Sequence, residues 1–155
     1  MIDSDTTAFA ERAFARHEHL DLAPGIDHLH DLAQIVDRTA ARDLSVQLLD
    51  MFHWIDGVLR PHMAWEDASL FPAIEAHAGT PWATKLIRFE HKQILAAAMT
   101  LRTDWSLLAH ELTQEQRFEL RGHLFALETL LRAHIEQEER FLLPLLDESA
   151  RETHA

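Results

Sequence analysis

Residues that break helices are scarce in this sequence, and between them apolar side chains recur every three or four positions. Only four glycines and five prolines occur in 155 residues. That spacing keeps one stripe of a helix apolar, whereas a half-buried strand would alternate in twos, and no segment alternates convincingly. The chain is expected to be all-α. Its few stop and start signals divide it. "AARDLSVQ" offers Asp43 as an N-cap after a short connection near Ala41. "HAGTPW" ends one helix at Gly79 and opens the next with Thr80 as N-cap and Pro81 at the first helical position. "HELTQEQ" places Gln116 three residues after Thr113, the spacing of a capping box. Four helices of about 8–40, 43–77, 81–111 and 114–143 follow. Short connections make consecutive helices antiparallel, so the economical architecture is an up-down-up-down four-helix bundle. The length and the 47% hydrophobic content fit a single domain over residues 1–155, with its core at about 8–145.

Composition narrows the function classes. Acidic residues outnumber basic ones 26 to 14, and a net charge of −12 argues against nucleic acid or an anionic membrane as partner and favours cations. The absence of cysteine removes disulfides, thiolate metal sites and cysteine nucleophiles together. The start "MIDSDTTAFA" is acidic where a signal peptide is basic, and no apolar run approaches the roughly 20 residues of a membrane span, so a cytoplasmic protein is expected. Twelve histidines are the one excess, in the side chain that most often binds metals.

The apolar stripes run through Leu22, Ile26, Leu29, Ala33 and Val36; through Leu48, Phe52, Ile55 and Leu59; through Ile87, Ile94, Ala98 and Leu101; and through Leu120, Leu124, Leu127 and Leu131. Extended by three or four residues, they reach His19, His62, His91 and His134, one per helix, with Glu66 and Glu138 as the next inward positions. Two stretches repeat: "HMAWEDASLFP" from His62 and "HIEQEERFLLP" from His134 share a glutamate four residues on, an acid five on and a proline ten on. Depth along the bundle agrees. Counted from the connecting turns, His19 and His62 lie 22 and 21 residues from Ala41, Glu66 and His91 lie 13 and 12 from Gly79, and His91 and His134 lie 22 and 21 from Thr113. At about 1.5 Å per residue all six fall in one layer, whereas His28 would stand roughly 12 Å out of register. If the first helix instead begins at Pro24, His19 falls in a loop and His28 takes its place. So many inward polar groups are costly unless they satisfy one another, and shared coordination of a metal does this most simply. His17, His30, His53, His77, His110, His123 and His154 are expected to be solvated, Asp67 and Glu139 to be surface or outer groups, Glu90 to be as open to water as to chemistry, and Trp54, Trp65, Trp82 and Trp105 to pack.

Four helices carrying His, HxxxE, His and HxxxE, with trailing "LFP" and "LLP", resemble the hemerythrin-like (HHE cation-binding) domain family, in its bacterial form, from about His19 to Pro144. The resemblance implies a non-haem di-iron centre with an oxo or hydroxo bridge, in which His19, His62, His91 and His134 are terminal ligands and Glu66 and Glu138 bridge. Open positions there would bind O₂, NO or peroxide. Oxygen-carrying members have two histidines four apart on the third helix, whereas this chain has His91 alone, flanked by Ile87 and Leu95. That departure opens a coordination position and weakens the case for stable oxygen storage. Three functions stay open from the sequence: sensing, scavenging or carriage of a small ligand; an enzyme turning over peroxide or NO or oxidising ferrous iron; and a metal-free helical interaction module. No separate acid, base or nucleophile marks a catalytic residue.

Overall fold

The computed structural model describes residues 4–146, with side-chain surroundings from residue 8 onward. The first helix is Ser4–Ile35, closed by a tight turn at Val36–Arg38. The second is a continuous helical run over 41–78, the third is Lys85–Ser106 entered through a tight turn at Pro81–Thr84, and the fourth is Gln114–Gln137 continued through Glu138–Leu142. The first and third helices both pack on the fourth, and the second completes the bundle against the first and third. No strand occurs among the described residues, and no helix there is long and apolar enough to cross a membrane. The all-α four-helix bundle expected from the sequence is the fold.

Helix ends follow local chemistry, with two shifts from expectation. The second helix begins at Ala41, because the extended Ala40 offers its carbonyl to the amides of Asp43 and Leu44, both at 3.0 Å. Asp43 is therefore inside the first turn, where its charge meets the positive end of the helix dipole, and is not the cap. The third helix stops at Ser106: Leu107 and Leu108 bond back to Asp104 and Trp105, and this tightening turns Leu108 into the core. Gly79, at φ 67°, closes the second helix in the left-handed conformation, and the Thr80 amide returns to the Glu75 carbonyl at 3.2 Å. Thr113 and Gln116 form the full capping box.

The first helix runs unbroken through Pro24. Proline cannot donate to the carbonyl four residues back, which belongs to Leu20, a residue 73% exposed and so within reach of water. Leu22, Ile26 and Leu29 are buried on either side and hold the helix to the core. A β-carbon on Gly25 would lie 1.9 Å from the Trp54 indole, so glycine here lets the first and second helices close on each other.

Three wider turns were not foreseen. Ile55–Leu59, Glu66–Leu70 and Glu138–Leu142 are π-turns, and in each the amide following the turn bonds five residues back: Arg60 to Ile55, Phe71 to Glu66 and Leu143 to Glu138. A proline comes next every time, at Pro61, Pro72 and Pro144. A proline ring collides with the carbonyl four back in an α-helix, and the wider turn relieves the collision. The turns also keep Ile55, Leu59, His62, Glu66, Leu70 and Ile74 on the buried side although their spacings run mostly at four, which would otherwise drift around an α-helix.

Buried apolar residues form two clusters. The larger includes Leu22, Leu48, Ile55, Ile94, Leu124 and Leu131, and the smaller includes Ala15, Leu70, Phe71, Ile74, Ile87 and Leu143. The polar layer lies between them in sequence on every helix.

Candidate metal centre

His19, His62, Glu66, His91, His134 and Glu138 are all buried, each below 8% exposure, and all four helices contribute. They form two overlapping groups that could hold a metal ion: His19, His62, Glu66 and Glu138 in one, and Glu66, His91, His134 and Glu138 in the other, with the ligand atoms of each group within 4.8 Å of one another. Glu66 and Glu138 belong to both. His28 is half-buried, one helical turn or more away in sequence, and belongs to neither. The continuity of the first helix through Pro24 is what brings His19 into the layer.

The imidazole Nε2 atoms converge on the two carboxylates. His19 Nε2 lies 2.9 Å from Glu138 Oε2, His91 Nε2 3.0 Å from Glu66 Oε2, and His62 Nε2 2.7 Å from Glu66 Oε1. His134 Nε2 stands farther off, 3.4 Å from Glu138 Oε1 and 3.6 Å from Glu66 Oε2. Five atoms here, His62 Nδ1 and Nε2, Glu66 Oε1, His134 Nε2 and Glu138 Oε1, are fully buried without a hydrogen bond. Buried polar atoms are almost always satisfied, and unsatisfied ones cost about 1–3 kcal/mol each. Nitrogen and carboxylate lone pairs turned toward one another and left unbonded fit a cation, which takes such donors directly.

Electrostatics reinforce this. Burial alone would lower the pKa of His19, but the hydrogen bond to Glu138, the nearby Glu66 carboxylate and the hydrogen bond to Glu139 overcome it and raise the value to about 10. Burial likewise opposes the charged form of His134, and the nearby Glu66 carboxylate, the bond to Glu90 and the Glu138 charge raise it to about 10. For Glu66, burial pushes upward, yet its contacts with His134, His19, His62 and His91 hold it well below the usual carboxylate value. Burial raises the pKa of Glu138, and the neighbouring Glu66 charge adds to the rise. Without a metal, positive charge on His19 and His134 does part of a cation's work.

Each histidine also meets a second carboxylate through Nδ1. His19 Nδ1 is 2.8 Å from Glu139, His91 Nδ1 is 3.2 Å from Asp67, and His134 Nδ1 is 3.2 Å from Glu90, while His62 Nδ1 lies 3.7 Å from Glu18. Sequence reasoning gave Glu18 no role and left Glu90 as open to water as to chemistry. Each outer acid sits beside one of the six inward residues in the chain, as Glu18-His19, Glu66-Asp67, Glu90-His91 and Glu138-Glu139, and that adjacency was the available signal.

A family model, Hemerythrin HHE cation binding domain, matches residues 12–146. The chain belongs to this family. No curated protein and no solved structure matches it. The HHE domain thus spans nearly all the described residues and all six inward groups. Among the other histidines of this HHE chain, His17, His53, His77 and His110 are exposed as expected. His30 instead bonds the buried Glu128 at 3.0 Å, and His123 bonds Asp104 at 2.6 Å. His154 lies outside the described residues. Trp82 is 69% exposed beneath the Lys85 ammonium and does not pack in the core.

Proposed function

We propose that this HHE domain holds two iron ions and binds a small ligand, O₂, NO or peroxide, for sensing, scavenging or carriage in the cytoplasm. The observation that carries the reading is the pair of overlapping donor groups sharing Glu66 and Glu138. Each group offers two imidazoles and two carboxylates, a donor set that suits iron and other first-row metals. His19 and His62 would serve one ion, His91 and His134 the other, and the two glutamates both. Bound iron would supply redox chemistry and coordination positions for the ligand.

The chain's own residues would do the rest. The four imidazoles present Nε2 inward, and in His19, His91 and His134 an outer acid holds Nδ1, which fixes the tautomer and the ring plane. Apolar clusters above and below the layer exclude bulk water. A surface depression of about 270 Å³, lined by Arg60, Met63, Ala64, Asp67, His91 and Leu95, reaches His91 and supports entry of a small ligand on that side. Leu95 lies where a second histidine four residues after His91 would stand, so this wall is apolar.

Metal content of the freshly purified protein, with visible absorption before and after exposure to air, tests the reading. About two irons per chain and a band that changes on oxygenation support it. Less than about half a metal per chain after anaerobic reconstitution with ferrous iron sinks it, and leaves the metal-free helical module.

A further inference from the structure

A second repeat is woven into the first. R-x-E-H occurs as Arg16-His17-Glu18-His19 on the first helix and as Arg88-Phe89-Glu90-His91 on the third. H-x-x-x-E followed by an acid occurs as His62 to Asp67 on the second helix and His134 to Glu139 on the fourth. The two patterns interlock around the bundle. The glutamate of each R-x-E-H faces the histidine of the following helix, Glu18 toward His62 and Glu90 toward His134. The acid closing each H-x-x-x-E pattern faces back to an R-x-E-H histidine, Asp67 to His91 and Glu139 to His19. The arginine then closes the circuit. Arg16 Nε lies 3.3 Å from Glu139 Oε2, and Arg88 Nη1 lies 2.9 Å from Asp67 Oδ1.

The geometry is a consequence of helix spacing. Residues three apart share a face, so an arginine three before a histidine reaches the same carboxylate that the histidine's Nδ1–H addresses. One carboxylate oxygen of Glu139 takes His19 and the other takes Arg16; Asp67 divides its oxygens between His91 and Arg88 in the same way. His19 belongs to one donor group and His91 to the other, so each group has one imidazole backed in this manner. Folding stability does not explain Arg16, whose half-exposed ion pair contributes little. Arg88 has an additional structural use, bonding Glu75 and the Asp67 carbonyl.

We propose that Arg16 and Arg88 are positioning residues for the metal centre: through Glu139 and Asp67 each fixes one ligand imidazole and draws charge away from the carboxylate behind it. The proposal rests on the two-cation reading above. A carboxylate behind a ligand histidine makes the imidazole a stronger donor, and an arginine on that carboxylate moderates the effect. Removing the acid and removing the arginine therefore act in opposite directions on the same imidazole. Loosening of the bundle would move both the same way.

Wild type, Arg16→Gln, Arg16→Lys and Glu139→Gln are compared after anaerobic loading with ferrous iron, with Arg102→Gln as a control that breaks an ion pair to Asp56 away from the centre. Iron affinity and midpoint potential are measured, and the His19 Nδ1–H resonance is followed in the metal-free proteins. Glu139→Gln is expected to weaken iron binding about 10- to 100-fold and raise the potential. Arg16→Gln is expected to lower the potential and shift the Nδ1–H resonance, with Arg16→Lys restoring most of both and Arg102→Gln changing neither. An unmoved potential and resonance in Arg16→Gln overturns the proposal, as does a shift in the same direction as Glu139→Gln or an equal shift in the control. Wild type that takes no iron removes the two-cation reading and this proposal with it. Wild type that loads iron beside an unmoved Arg16→Gln removes this proposal alone.

Discussion

Glu66 Oε1 stands 2.7 Å from His62 Nε2 in the middle of the bundle, both atoms fully buried and neither hydrogen-bonded. The two residues are four apart on one helix, so the backbone itself aims both at the same point. Glu66 also reaches His91, His134 and His19 on the other three helices. It is the residue on which the site converges.

Glu66→Ala is therefore expected to abolish binding of both cations, whereas His134→Ala touches only one donor group and should retain about one cation of two. Elemental analysis of the two variants beside wild type distinguishes these outcomes. Equal metal loss in both would contradict the division into two groups.

Metal should stabilise the fold, because the assembled site exists only in the folded chain. At free ferrous iron one hundred times its dissociation constant, the gain is about 2.7 kcal/mol per site. In His62→Ala this increment should shrink, and because the substitution also opens a cavity beside Glu66, each iron-loaded melt is referred to the metal-free form of the same variant. Thermal melts with and without iron measure it.

The metal-free protein should lose stability as pH rises from about 6.5 to about 10. His19 and His134 have folded-state values of about 10, above the ordinary 6.5, so their contribution is fully present below the ordinary value and fades as pH rises through the folded one. Glu66 has the opposite sign: its depressed value adds stability above the ordinary 4.5 that is lost as pH falls. Iron binding must displace the Nε2 protons, so iron affinity should increase with pH across the same window, with proton release measurable in weakly buffered solution. A flat denaturation midpoint between pH 6.5 and 10 in the metal-free protein would contradict the histidine assignment.

Gly25→Ala should destabilise the bundle by about 1–3 kcal/mol, because its methyl would overlap the Trp54 indole. Gly122→Ala should do the reverse, by about 0.5–1 kcal/mol, since that helical glycine has nothing within 4 Å of an added β-carbon. Urea titration of both reads the sign directly.

The sequence by itself determined the helices, their caps at Thr80 and Thr113, and the layer holding His62, Glu66, His91, His134 and Glu138. These follow from periodicity and from residue counts between turns, both of which run along the chain. Tertiary structure decided the rest. It chose His19 over His28, because packing of Leu22, Ile26 and Leu29 carries the first helix through Pro24. It placed π-turns before Pro61, Pro72 and Pro144, where the repeated prolines were visible and their effect on helical phase was not. It also joined Glu139 to His19, 120 residues away, and Glu90 to His134, 44 away. Local pattern fixes which face of a helix is buried, but which acid meets which imidazole depends on how neighbouring helices cross, and that is set by the close packing of side chains from all four.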